Sequence, residues 1–225
     1  MTFDYEKDPS AIYAQSFATI REEAAEALGA LPDDLEPVAV RLMHSVGMTD
    51  LVPDLRYSET AAQKGIAALK AGKPILVDTQ MVAGGISKRF FRKEDGPLRN
   101  DILLTLNDPA VAEIARQKQT TRSAAAIELW RDQLDGAIVA IGNAPTALFY
   151  LLEMLRSGAP KPALVLGFPV GFVGAAESKE ALVAAAPELE LDYISLMGRR
   201  GGTPMASSAV NALAIMALGH HNQPL

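Results

Sequence analysis

Short apolar runs alternate along this chain with stretches whose apolar residues recur at helical spacing, and that alternation restricts the fold more than any other feature. The runs fall at 51–57, 74–78, 102–106, 137–141, 163–167 and 193–197, and several are apolar along their whole length. Strands buried on both faces read this way, because helices cover each side of a parallel sheet. Between them, residues 33–46, 59–71, 122–134, 144–157, 175–186 and 203–218 predict helices. Gly72 and Gly158 stand where the second and fourth of these should be capped. The alternation predicts parallel β-α-β units with right-handed crossovers. The expectation is one α/β domain over residues 1–225, with a mainly parallel sheet flanked by helices in Rossmann-like layers and a flexible tail at 219–225.

Such sheets bind ligands beyond the carboxyl ends of their strands, so the segments that follow the strands carry most of the functional information. They are crowded with glycine, proline and polar residues: 79–89, 107–109, 142–146, 168–174 and 198–203. Residues 198–202 read Gly-Arg-Arg-Gly-Gly ahead of a helix, where exposed N–H groups and two guanidinium groups favour an anion. A solvated turn is the plainer alternative. The glycines at 167, 171 and 174 are spaced G-x-x-x-G-x-x-G, which is not a dinucleotide fingerprint, and no Walker lysine follows a glycine loop.

The chain carries a net charge of −6 and has no cysteine. Acidity disfavours nucleic acid, whose binding depends on neutralising phosphates. Without cysteine there are no disulfides, zinc–thiolate sites or thiol nucleophiles. No run approaches the roughly 18 apolar residues of a membrane span, and the acidic N-terminus is unlike a secretory signal. A cytoplasmic protein is the expectation. His44 lies in apolar company near a helix end, His220 and His221 lie in a polar tail, and the three show no metal-ligand spacing. Thr121 or Ser123 can cap the helix that opens at Arg122, or Arg122 can reach a carboxylate. Asn143 can cap the next helix, with Pro145 in its first turn. Lys88, Arg89, Arg92, Lys93 and Arg116 read as solvated cations, and Glu177, Ser178 and Lys179 as capping or surface ion-pair residues.

Taken in order, several segments resemble the precorrin-8X methylmutase family. They include Ile12-Tyr13 with Ser16-Phe17, Arg41-Leu42-Met43-His44-Ser45-Val46-Gly47-Met48 and Met81-Val82-Ala83-Gly84-Gly85-Ile86. They continue with Leu106-Asn107-Asp108-Pro109, Thr121-Arg122-Ser123, Gly142-Asn143-Ala144-Pro145-Thr146, the 167–179 glycine segment and 198–202. The resemblance spans nearly the whole chain. It implies an isomerase that moves a methyl group of a tetrapyrrole from ring carbon 11 to carbon 12, giving hydrogenobyrinic acid. A related branch acts on the cobalt-containing precorrin. It also implies a homodimer and no external cofactor. On this reading His44, the only histidine outside the tail, serves as acid or hydrogen-bond donor to the ring. Arg122, Arg199 and Arg200 hold carboxylates by forked hydrogen bonds, and Ser16, Ser87 and Asn143 add neutral ones. Two departures stand out: Gly84 occupies a position that is acidic in many members, and Ser87 one where threonine is common. The rival readings are an α/β enzyme using a nucleotide on the glycine loop, and a non-catalytic tetrapyrrole carrier.

Overall fold

The computed structural model describes residues 3–91 and 98–220, and the sheet at its centre accounts for the apolar runs. Its strands are β1 (Leu55–Tyr57), β2 (Ile75–Val77), β3 (Ile102–Leu103), β4 (Ile138–Ile141), β5 (Leu164–Gly167) and β6 (Tyr193–Leu196), in the order β1-β6-β5-β4-β2-β3. Each lies within a predicted run and is shorter than it. Successive side chains point to opposite faces. Ile75, Val77, Ile138, Ala140, Leu164, Leu166, Ile194 and Leu196 enter one core. Leu76, Val139, Ile141, Val165 and Tyr193 enter the other. Both faces must therefore be apolar, and the runs are continuous rather than alternating.

Helices complete the two outer layers. On the first face pack α1 (Pro9–Glu23), α2 (Ala25–Gly29), α3 (Glu36–Val46), α4 (Ala61–Lys70), α5 (Gln80–Gly85) and α10 (Thr203–Ala217). The second face is covered chiefly by α7 (Arg122–Glu128), α8 (Pro145–Arg156) and α9 (Ala175–Leu189). Helix α6 (Ala110–Gln117) joins α7 in a smaller apolar cluster. Gly72 and Gly158 follow α4 and α8 with φ of 70° and 88°, the left-handed conformation that ends a helix at low steric cost.

Two expectations change. The stretch 79–89 is not a loop throughout: Thr79 accepts a hydrogen bond from the Val82 amide at 3.3 Å and starts α5. The predicted helix 122–134 stops at Glu128 and ends in a 3-10 turn at Arg131–Gln133. Helices α1, α2 and α6 were not among those predicted.

Strand direction matters more for function. Strands β2 to β6 are mutually parallel, but β1 pairs antiparallel with β6, with Leu55 opposite Leu196 and Tyr57 opposite Ile194. No crossover helix feeds β1; the chain enters it from a 3-10 turn, Val52–Asp54, soon after α3. The segment ahead of β1 is thereby carried to the carboxyl end of β6, where the Met197 amide donates to the Asp54 carbonyl at 2.8 Å.

Candidate functional site

His44 reaches the ligand edge of the sheet through this antiparallel strand. It lies in the last turn of α3, which Gly47 terminates with φ of 66°. Helix α1 packs against α3 and presents Tyr13, Ser16 and Phe17, residues three and four apart on one helical face. Ser16 Oγ lies 2.8 Å from His44 Nδ1. The Tyr13 and Phe17 rings stand 5.2 and 5.1 Å from the imidazole, and the Arg41 guanidinium lies 5.0 Å from the centre of the Phe17 ring. Burial lowers the His44 pKa from 6.5, and the charge of Arg41, one turn earlier, lowers it further. The imidazole is therefore mostly neutral at pH 7. If the Ser16 hydroxyl donates to Nδ1, the ring proton sits on Nε2, which is then a hydrogen-bond donor.

Among the described residues, three depressions lie at or near this group. One of about 430 Å³ is lined by Ser16, Thr19, Met43, His44 and Met48. Met48 also lines the second, about 310 Å³, with Val170, Phe172, Arg199, Arg200 and Met205. Tyr13 opens the third, about 390 Å³, which Arg41, Ser87, Lys88, Arg89 and Asn211 complete. The first two combine apolar walls with a few placed polar groups, as ligand pockets commonly do, and the third is mostly polar.

The predicted residues divide between two places. His44 and Ser16 form a pair, Ser87 lies one depression away, and Arg199 and Arg200 line the depression beside Met48. The Arg199 guanidinium lies 5.3 Å from the centre of the exposed Phe172 ring. Arg200 is already engaged, donating to Asp50 at 2.8 Å and Asp54 at 2.6 Å. Arg122 and Asn143 line none of the three depressions; they sit where α7 and α8 begin. There Arg122 donates to the Leu106 carbonyl at 3.2 Å, and Thr121 and Thr146 share a 2.8 Å hydrogen bond. Thr121 caps α7, as one of the two options predicted. Asn143 does not cap α8, which has no side-chain cap. Its amide is instead taken by Asp78. Arg92, Lys93, His221 and the rest of the tail lie outside the described residues, and His220 is exposed.

Asp78 was not foreseen. It follows β2, next to β4, at the point where the strand order reverses. Its carboxylate accepts the amides of Gly142, Asn143 and Ala144 at 3.0, 2.9 and 3.1 Å. A lone acid closing an otherwise apolar strand was the available signal. Lys179 is a second correction: it is fully buried rather than on the surface. Its ammonium donates to the Arg200 carbonyl at 2.6 Å, and burial pushes its pKa down to about 8, partly offset by Asp54. Asn211, the polar exception in an apolar stretch of α10, receives the Ser87 amide and donates to the Gly85 carbonyl.

Fold and site together define a doubly wound α/β protein with a histidine and several depressions at the ligand edge of its sheet. The precorrin-8X methylmutase family matches residues 11–216. A precorrin-8X methylmutase of Pseudomonas aeruginosa is 56% identical over 211 residues, covering 94% of this chain and 97% of that one. A Sinorhizobium precorrin-8X methylmutase is 47% identical over 94% of this chain and 97% of its own length. A cobalt-precorrin-8 methylmutase of Priestia megaterium is 38% identical, covering 93% and 88%. Among solved structures, the precorrin-8X methyl mutase of Thermus thermophilus superposes with a TM-score of 0.81 at 36% identity, covering 94% of this chain and 100% of that one. The chain belongs to the precorrin-8X methylmutase family, and its reaction class is the isomerisation of cobalamin biosynthesis. No helix among the described residues is long and apolar enough to cross a membrane. Nor do the described residues contain a cluster of three or more histidine and acidic side chains suited to a metal ion.

Proposed function

We propose that this chain converts precorrin-8X to hydrogenobyrinic acid by moving one methyl group from ring carbon 11 to carbon 12. The bond to carbon 11 breaks as the bond to carbon 12 forms, the conjugated ring redistributes the electrons, and mass is unchanged. The protein needs to hold one tautomer and stabilise charge that develops in the rearranging system. His44 does this as acid or hydrogen-bond donor to a ring nitrogen, held in tautomer by Ser16. The observation that supports the proposal is the Ser16–His44 pair at 2.8 Å in a depression that shares Met48 with a second one lined by Arg199 and Arg200. Arg199, Ser87 and, from the β4 edge, Arg122 and Asn143 are the proposed contacts to substrate side chains. Arg200 lines the same depression as Arg199, but its guanidinium is already paired with Asp50 and Asp54.

The metal-free substrate is favoured over the cobalt form by the higher identity to the two precorrin-8X methylmutases than to the Priestia relative. A homodimer is proposed from the exposed Val170, Phe172 and Val173 beside the site. The enzyme is assigned to the cytoplasm as a biosynthetic catalyst. Incubating purified protein with fresh precorrin-8X, followed by visible spectroscopy and mass spectrometry, tests the reaction. Conversion to the hydrogenobyrinic acid spectrum at constant mass is expected. Binding without conversion would identify a carrier or a preference for the cobalt form.

A further inference from the structure

We propose that Arg200 is a positioning residue: it clamps the segment leaving the His44 helix to the β6–α10 turn and so fixes the imidazole relative to Arg199, a role that rests on the reaction proposed above and deepens it. The segment needs a clamp. His44, Ser45 and Val46 are only half-buried, Gly47, Met48 and Asp50 are exposed, and the first buried side chain after Met43 is Leu51. A stretch with so few buried contacts opens easily on its own. Helix α3 ends there in two backbone hydrogen bonds, from the Gly47 and Met48 amides to the Met43 carbonyl at 2.8 and 3.3 Å. Beyond them the chain is tied by side chains: Thr49 to Glu23 of α1 at 3.1 Å, and Asp50 to Arg200 at 2.8 Å.

Arg200 reaches this segment from the opposite side. Its guanidinium donates to the Asp50 carboxylate, to the Asp50 carbonyl at 3.4 Å and to the Asp54 carboxylate at 2.6 Å, so one planar group grips both ends of residues 50–54. Its backbone is anchored in turn. The buried Lys179 ammonium donates to the Arg200 carbonyl at 2.6 Å, the Gly202 amide to the Phe168 carbonyl at 2.8 Å, and the Gly171 amide to the Arg199 carbonyl at 3.3 Å. Asp54 acts on both cations, bonding Arg200 directly and favouring the charge of Lys179. The β5–α9 loop thus fixes the turn, and the turn fixes the exit of α3. Met48 stands between, lining the His44 depression and, with Arg199, the next one. Arg200 therefore sets the separation across Met48 between the ring contact and the side-chain contact. A ligand carboxylate approaching Arg200 would meet two carboxylates of the same sign, so its guanidinium serves to hold the site rather than the substrate.

The test pairs Arg200→Gln with Asp54→Asn, because Asp54 lines none of the three depressions and acts on a ligand only through Arg200. Amide hydrogen exchange, read without substrate, is expected to quicken by roughly tenfold at Gly47 and Met48 in both variants, with Leu42 and Met43 in the same helix changed less. With precorrin-8X, kcat is expected to fall by about tenfold, as for a small misplacement of a reacting group, while the dissociation constant of hydrogenobyrinic acid stays within about twofold. The double variant should be no worse than the more impaired single one, since both cut the same tie. Asp50→Asn, at the more exposed partner, is expected to show the same pattern at smaller size, and replaces either variant that fails to fold. Unchanged exchange at Gly47 and Met48 overturns the clamp. So does weaker acid binding by Arg200→Gln together with tighter binding by Asp54→Asn, the mark of a guanidinium that serves the ligand and is released when its partner is lost. Wild type that turns over neither precorrin-8X nor its cobalt form overturns the proposed reaction and the positioning role with it, and the exchange result shows separately whether the clamp exists.

Discussion

His44 is held at one ring nitrogen by Ser16, enclosed by two aromatic rings and kept mostly neutral by burial and by Arg41. A neutral imidazole with one nitrogen occupied can still offer a single, oriented hydrogen bond, which is the role proposed for it. His44→Ala is expected to lower turnover by roughly 10²–10⁴-fold, the range for one acid group, while product still binds in a titration. Ser16→Ala leaves the imidazole present but removes its orienting partner. We expect a smaller loss, confined to kcat with KM little changed, in steady-state assays. His44 was legible in the sequence as an isolated histidine in a family-like segment. Ser16 was named beside it as a source of a neutral hydrogen bond to the ligand, but its pairing with the imidazole, and the Tyr13 and Phe17 rings around it, were harder to see, because all three belong to a helix not foreseen and come from another part of the chain.

Between elements, the ligand edge is stitched together by buried polar groups. Asp78 ties the end of β2 to the turn leaving β4 through three backbone amides. Asp78→Asn would turn an amide NH₂ toward at least one of those donors. We expect a loss of about 1–3 kcal/mol, as for other buried unsatisfied groups, read by urea unfolding. The β6–α10 turn is held twice. Gly201 approaches β5 so closely that a Cβ would lie 2.5 Å from the Phe168 and Pro169 carbonyl oxygens. Lys179 grips the Arg200 carbonyl from below. With a folded pKa near 8 against an ordinary 10.5, Lys179 binds fewer protons folded than unfolded between those values. Its contribution therefore makes stability rise with pH across that window, and the cost of burying its charge is fully present below it. Lys179→Met removes that slope. The unfolding free energy of the variant minus that of wild type should fall as pH is raised from about 8 to about 10.5. A constant difference would mean that Lys179 does not titrate there.

At the scale of the whole molecule, exposed Phe172 and Val173 flank the site, as a surface awaiting a second subunit would. Sedimentation at micromolar concentration is expected to show twice the 23.9 kDa chain mass, with Phe172→Glu shifting the balance toward the monomer. The six apolar runs, the glycine caps at 72 and 158 and the layering about a mainly parallel sheet were all readable from local pattern. Burial on both faces imposes continuous apolarity, and a left-handed helix end favours glycine. Strand direction was not readable, because an edge run such as 51–57 has the same composition whichever way it points. Only the tertiary structure turned β1 antiparallel and so brought the end of α3, with His44, to the edge where the parallel strands finish. It alone decided that Arg200 is spent on Asp50 and Asp54, and that Lys179 is buried. Local sequence sets which segments are helix, strand or cap; which side chains meet depends on distances across the fold that no single segment encodes.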